Sequence, residues 1–124
     1  MAKKKIMIVD DEQSLVELVR AVFGQEGFEV ITAYSGSECL EKLKEEKPDL
    51  ILMDMMMPGM SGRETTEKIR TNPKTKGLKI VFLTVARFSE VGKDTLKNLN
   101  ILDYVTKPFD NKDLVKRVKK VLGK

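Results

Sequence analysis

Short apolar runs alternate with helical patterns along this chain, and that alternation limits its fold more than any other feature. Four runs have the continuous apolar character of strands buried on both faces, and a mixed run has that of an edge strand. The predicted strands are residues 6–9, 28–33 (the edge strand), 50–53, 80–83 and 104–105. Alternation of this kind predicts a doubly wound α/β fold, a parallel sheet with helices on both faces.

Helix signals fill the segments between these strands. Ser35 and Glu38 are predicted to form a capping box, and Asp110 is predicted to cap the last helix. Helices near residues 63–71 and 90–99 are poorly marked, and Gly92 predicts that the latter is the least stable. The other three helices are marked by apolar residues at helical spacing: Leu15, Leu18, Val19 and Val22; Leu40 and Leu43; and Leu114, Val115, Val118 and Leu122.

Composition excludes several classes of function. The chain has 124 residues, which predicts a single domain over residues 1–124. It has no histidine and one cysteine, Cys39, which rules out a His-based catalytic triad and an internal disulfide and leaves no zinc cluster. No apolar run reaches the roughly 18 residues of a membrane helix, so a cytoplasmic protein without membrane contact is expected.

Basic charge is concentrated near the C-terminal end. The formal net charge is +4, and residues 112–124 carry six basic side chains against one acidic side chain. A basic helix can bind nucleic acid or an acidic partner, although such a run is more often a solvated helix face.

Polar residues follow four of the five predicted strands. Asp10 and Asp11 follow the first, Asp54 the third, Thr84 the fourth and Lys107 the fifth. Ligands of open parallel sheets gather at these carboxyl ends, so the side chains are expected to converge. Clustered carboxylates repel one another unless a cation binds, and oxygen ligands without His or Cys favour Mg²⁺ or Mn²⁺.

Each acidic residue has a simpler explanation when taken alone. Asp10 and Asp11 could cap a helix beginning near Gln13, and Asp54 could be a turn residue before Pro58. The joint placement at the strand ends argues for a site instead.

A carboxylate can attack phosphorus to give an aspartyl phosphate, which makes Asp54 the candidate phosphoacceptor. Phosphoryl transfer chiefly needs positioning and charge neutralisation, which Lys107 and the Thr84 hydroxyl can supply.

The motifs resemble those of response-regulator receiver domains from two-component signalling, over essentially the whole chain. They are Val-Asp-Asp at 9–11, Asp54 followed by Met-Pro-Gly-Met-Ser-Gly at 57–62, Thr84, Asp-Tyr at 103–104, and Lys-Pro-Phe at 107–109. The resemblance implies a flavodoxin-like (βα)5 fold with strand order 2-1-3-4-5. It also implies a chemotaxis-type phosphoprotein that acts as a switch and is not a turnover enzyme.

The resemblance further implies a ligand set. Asp11, Asp54 and the backbone carbonyl of Met56 would bind Mg²⁺, and Asp10 would act through water. Lys107 would contact the phosphoryl group, which a sensor histidine kinase or phosphotransfer protein supplies.

The family also implies a switch. Thr84 and Tyr104 would move on phosphorylation and change the face formed by the fourth helix, fifth strand and fifth helix, where an unknown output protein binds. The bond between Lys107 and Pro108 would be cis.

Some positions depart from the family pattern. Val85 replaces a small residue, and Asn100 and Ile101 replace a common Gly-Ala pair, although Asn can adopt the left-handed conformation that ends a helix. Met56, Val85 and Ala86 are apolar and cannot orient an attacking water, so slow dephosphorylation is predicted.

Three alternatives stay open. The chain could be the receiver part of a larger regulator. A phosphatase of the haloacid-dehalogenase type would want a second Asp where Met56 stands. A nucleic-acid-binding module using the basic last helix is less favoured, because no aromatic or base-reading surface is evident.

Overall fold

A five-stranded parallel sheet with helices on both faces forms the protein. The computed structural model describes residues 3–85 and 93–123, so Gly92 and the start of the predicted fourth helix lie outside the described residues. The strands are β1 (Lys5–Val9), β2 (Glu29–Ala33), β3 (Leu50–Asp54), β4 (Lys79–Thr84) and β5 (Asp103–Thr106). The helices are α1 (Gln13–Gln25), α2 (Gly36–Lys42), α3 (Gly62–Thr71), α4 (Lys93–Asn98) and α5 (Asn111–Val121).

The strand order is β2-β1-β3-β4-β5, and every pair of neighbouring strands is parallel. This order confirms the flavodoxin-like fold and the position of β2 at an edge. In the described part of the chain, no helix combines the length and apolar character needed to cross a bilayer.

Two hydrophobic cores lie on opposite sides of the sheet. Successive residues of a strand point to opposite faces, so β1 gives Ile6 and Ile8 to one core and Met7 and Val9 to the other. The first core is completed by α1 and α5, and the second by α2, α3 and α4. Burial on both sides explains why the inner strands are continuously apolar.

The buried stripe of α1 differs from the sequence pattern at three positions, because Val16 and Phe23 are not part of that pattern and Leu18 is. Val16, Val19 and Phe23 are buried against the sheet, whereas Leu18 is exposed. The helix therefore faces the core along a line that passes through Val16 and leaves Leu18 outside it.

The complete capping box lies elsewhere than predicted. The Ser35 hydroxyl accepts from the Glu38 N–H at 3.0 Å, but the Glu38 carboxylate accepts from the N–H of Tyr34 rather than from that of Ser35. The reciprocal pair is at α3, where Ser61 accepts from the Glu64 N–H at 3.1 Å and Glu64 accepts from the Ser61 N–H at 3.3 Å.

Helix α3 lacks apolar periodicity because its buried face is built partly from threonines. Thr65 and Thr66 are fully buried beside Ile69. Their hydroxyls donate to the carbonyls of Ser61 and Gly62, both at 2.8 Å. Since each hydroxyl is satisfied within its own helix, burying it leaves no unpaired polar group.

The C-terminal end of α4 and the N-terminal end of α5 are formed by the residues that the sequence predicts. Asn100 has φ 54°, the left-handed conformation expected of it. Its N–H donates to the Lys97 carbonyl at 3.1 Å, and the Ile101 N–H donates to the Leu96 carbonyl at 2.8 Å, which together form a Schellman motif. Asp110 caps α5 as predicted.

Candidate functional site

The predicted site residues meet at the carboxyl edge of the sheet. Asp54 ends β3 and Thr84 ends β4, while Asp10 and Asp11 directly follow β1. Carboxylate oxygens of the three aspartates all lie within 4.8 Å of one another. We call Asp10, Asp11 and Asp54 the acidic cluster.

Lys107, which follows β5, joins the acidic cluster. Its Nζ donates to Asp10 Oδ2 at 2.6 Å and lies 3.6 Å from Asp54 Oδ2. Burial alone would lower the pKa of Lys107, but the hydrogen bond to Asp10 and the charges of Asp10 and Asp54 outweigh it, so the pKa is raised. The lysine is therefore a firmly charged cation. The bond between Lys107 and Pro108 is cis, as the resemblance implied.

Asp54 is buried in an environment that opposes its ionisation. Burial, followed by the charge of Asp10, raises the pKa of Asp54 to about 6, and Asp11 adds to the effect. The N–H of Met56, which donates to Asp54 Oδ1 at 3.2 Å, and the Lys107 ammonium act in the opposite direction. Three carboxylates facing one ammonium leave unbalanced negative charge, and this oxygen-only donor set fits a divalent cation.

Neither Asp10 nor Asp11 caps α1, so that alternative is wrong. Glu12 is the N-cap residue, and its side chain makes no capping hydrogen bond. Asp10 Oδ1 instead accepts from the Glu12 N–H at 2.9 Å, while its other oxygen binds Lys107. Asp10 is fully buried, whereas Asp11 is exposed. Asp54 does make the local turn bond to Met56, but this bond leaves its second oxygen facing Lys107.

Thr84 and Tyr104 lie on the same face of neighbouring strands. The register pairs Phe82 with Tyr104 and Thr84 with Thr106, so Thr84 is two residues closer to the carboxyl edge. Thr84 is fully buried, and Tyr104 is partly buried against the core under α2, α3 and α4. This arrangement is compatible with the predicted switch, which stays a prediction.

Met56 and Val85 have exposed side chains next to site residues in the chain. Each is 62% exposed, so neither is packed into the interior. The third residue of that prediction, Ala86, lies outside the described residues.

Gly62 supports the end of β3, a role that sequence reasoning did not assign. A Cβ at this position would lie 1.9 Å from the carbonyl oxygen of Asp54, and the Gly62 N–H donates to the Met55 carbonyl at 2.9 Å. The loop after Asp54 therefore folds back directly onto its backbone. The motif at 57–62 contains this glycine, but a close approach of two backbone segments is visible only in three dimensions.

Comparison with known proteins agrees with the observed fold. The chain belongs to the response regulator receiver domain family, whose family model matches residues 6–119. It is similar to the chemotaxis protein CheY4 of Vibrio cholerae, with 32% identity, a TM-score of 0.90, and coverage of 97% of this chain and 99% of that chain.

Two further structures extend the comparison. A putative response regulator from Chloroflexus aurantiacus is 33% identical, with a TM-score of 0.89 and coverage of 99% of this chain and 100% of that chain. The second structure is that of the response regulator TrrA from Thermotoga maritima in complex with Mg²⁺ and BeF. It is 36% identical, with a TM-score of 0.81 and coverage of 95% of this chain and 98% of that chain.

Proposed function

We propose that this receiver domain is a phosphorylation switch in which Asp54 carries the phosphoryl group. The observation that carries the proposal is the acidic cluster facing Lys107 at the carboxyl edge of the sheet. Asp54 is the proposed phosphoacceptor because the charges of Asp10, Asp11 and Lys107 all affect its ionisation.

Mg²⁺ is the proposed cofactor, with Mn²⁺ as a chemically similar substitute. Asp11, Asp54 and the backbone carbonyl of Met56 would bind it. Asp10 would act through water, because its two oxygens already accept from Lys107 and from the Glu12 N–H. The similarity to TrrA, whose structure contains Mg²⁺ and BeF, supports this assignment.

The proposed phosphodonor is a histidine kinase or a phosphotransfer protein. Residues 1–124 contain no histidine, so the proposed phosphohistidine lies outside this sequence. An Asp54 oxygen attacks phosphorus, and the bond from phosphorus to the donor's imidazole nitrogen breaks. Lys107 and the Thr84 hydroxyl donate to the phosphoryl oxygens, which carry most of the charge during transfer.

Phosphorylation would shift the population between two conformations of the output face, formed by α4, β5 and α5. Thr84 and Tyr104 are the proposed switch residues, because they lie on one face of adjacent strands at and below the site. A partner protein would bind this face with different affinity in the phosphorylated and unphosphorylated conformations.

The test is incubation with acetyl phosphate and Mg²⁺, followed by intact-mass measurement. The parent is expected to gain one labile phosphoryl group, Asp54→Asn none, and the exposed control Asp94→Asn as much as the parent. Undiminished labelling of Asp54→Asn would overturn the phosphoacceptor assignment. Sustained turnover of a generic phosphate ester would instead indicate a phosphatase.

Metal binding is tested separately by titrating Mg²⁺ into the parent and into Asp11→Ala. We expect binding at least about tenfold weaker in the variant, because a direct carboxylate ligand is lost. Equal affinities would show that the ligand set is wrong.

A further inference from the structure

A groove of about 940 Å³ runs between α1 and α5, and its described lining includes neither a member of the acidic cluster nor the proposed switch residues Thr84 and Tyr104. Val22 of α1 and Val115 of α5 supply apolar lining. Among the described residues of the lining, Glu26 is the only one with a carboxylate side chain. The cationic side chains of the lining are Lys112, Lys116, Lys119 and Lys120.

The charge on this side of α5 is not neutralised within the protein. Lys119 pairs with Glu26 at 2.6 Å. Across the described residues, Lys112, Lys116 and Lys120 have no carboxylate within 4.0 Å. Three cations therefore face solvent unpaired along one wall of the groove.

Arg117, which does not line the groove, shows the contrast. It lies 3.1 Å from an oxygen of Asp103 and 2.9 Å from one of Asp113. The positive charge on the side of α5 that faces β5 is therefore neutralised by aspartates, whereas most of the positive charge on the side that faces α1 is not.

The stability of α5 does not account for these lysines. Lys112 is the second residue of the helix, where the positive end of the helix dipole disfavours a cation. Lys112, Lys116 and Lys120 follow one another at intervals of four, a spacing at which like charges repel. Lys120 suits the dipole, being in the last turn, but Lys112 and Lys116 do not.

We infer that this groove, which we call the lysine groove, is a docking surface for an acidic amphipathic helix of a partner protein. Glutamates on one face of such a helix would pair with the lysines, and its apolar face would cover Val22, Val115 and the methylene stems of the lysines. Nucleic acid fits less well. Glu26 would face its phosphates, and the part of the lining that the structure describes contains no aromatic residue for base stacking.

The test uses a fluorescein-labelled helical peptide of about four turns, with glutamates on one face and leucines on the other, in an anisotropy titration. A scrambled peptide of the same composition and a single-stranded DNA of equal charge are titrated in parallel. The protein is compared as the parent and as Lys112→Glu/Lys116→Glu.

Lys47→Glu/Lys76→Glu is the matched control, because it makes the same change in charge at exposed residues outside the groove. The lysine-groove variant is expected to bind the amphipathic peptide at least about tenfold more weakly, and the control is expected to bind like the parent. Circular dichroism verifies folding. If Lys112→Glu/Lys116→Glu does not fold, Lys112→Ala/Lys116→Ala replaces it. This variant is expected to weaken peptide binding to a smaller extent.

Three results would each overturn the inference: equal losses in the control and lysine-groove variants, equal binding of the scrambled peptide, or tighter binding of the DNA than of the peptide. Asp54→Asn is expected to bind the peptide like the parent, since the groove shares no residue with the acidic cluster. A failure of the phosphorylation proposal would therefore be distinguishable from a failure of this one.

Discussion

At the scale of single residues, the proposed phosphoacceptor Asp54 lowers the stability of the folded protein when it is ionised. Its carboxylate is held among like charges in a buried position, and its pKa is raised to about 6. A carboxyl that ionises less readily in the folded chain than in the unfolded chain lowers stability as pH rises. That cost is absent below its ordinary pKa, grows through pH 6 and is fully present above it.

Asp54→Asn is therefore expected to raise the free energy of unfolding by about 3 kcal/mol at pH 8 in the absence of Mg²⁺. The gain should largely vanish near pH 3, below the ordinary pKa of the carboxyl, where the parent carboxyl is mostly protonated whether the chain is folded or unfolded. Urea unfolding at both pH values measures this gain in the free energy of unfolding, with Asp94→Asn as the control. Equal stabilities of parent and Asp54→Asn at pH 8 would contradict the cause assigned to the shift.

The proposed phosphorylation of Asp54 leads to a second prediction at the residue scale, that Met56 and Val85 slow the loss of the phosphoryl group. Met56 and Val85 are 62% exposed, so their side chains can be changed without opening the core. Met56→Asn supplies an amide that can orient water, and Val85→Ala removes bulk beside the expected path. We expect each to speed dephosphorylation by about tenfold.

The decay is followed by intact mass after removal of the phosphodonor. Leu102→Asn, at an exposed apolar residue that precedes β5, is the control and should leave the rate unchanged. If neither site variant decays faster than the parent, local access does not set the lifetime, and the switch equilibrium becomes the explanation.

At the scale of elements, the connection from β3 to α3 depends on Gly62. A Cβ there would lie 1.9 Å from the oxygen and 2.7 Å from the carbon of the Asp54 carbonyl, and backbone atoms cannot rotate away as a side chain can. Gly62→Ala should therefore displace the end of β3, lower the free energy of unfolding by about 3 kcal/mol and weaken Mg²⁺ binding.

The same substitution at Gly24, in α1, is a matched control. A Cβ at Gly24 meets no atom within 4 Å, so Gly24→Ala is expected to stabilise the protein by up to about 1 kcal/mol. Denaturant unfolding compares the free energies of unfolding of Gly62→Ala and Gly24→Ala. If Gly62→Ala were as stable as the parent and bound Mg²⁺ normally, the tight packing behind Asp54 would have no consequence for the site.

At the scale of the whole molecule, Cys39 reports the cooperative opening of the core. Its thiol is fully buried in the core under α2, α3 and α4, and burial, with a smaller contribution from the charge of Glu38, raises its pKa to about 12. Only the thiolate reacts with iodoacetamide. Labelling at pH 8 should therefore be negligible in the folded protein and rapid in concentrated guanidinium. Rapid labelling without denaturant would show that α2 opens independently of the rest.

The sequence by itself determined the strands and the residues at their ends. A buried parallel strand needs a continuous apolar run, and the carboxyl ends of parallel strands must share one edge, so Asp54 and Lys107 could be assigned to the same place from local patterns. The strand order came from the family resemblance. Asn100 ended its helix in the left-handed conformation because its side chain tolerates that backbone.

Tertiary structure decided how these residues are paired and which side chains are buried. Lys107 binds Asp10 across 97 positions of the chain, a contact that no local pattern contains. Leu18 is exposed although it is apolar, and Thr66 is buried although it is polar. The physical reason is that burial depends on which surfaces meet. A threonine whose hydroxyl bonds to its own helix can be buried without an unpaired polar group, while a leucine with no surface packed over it stays in water.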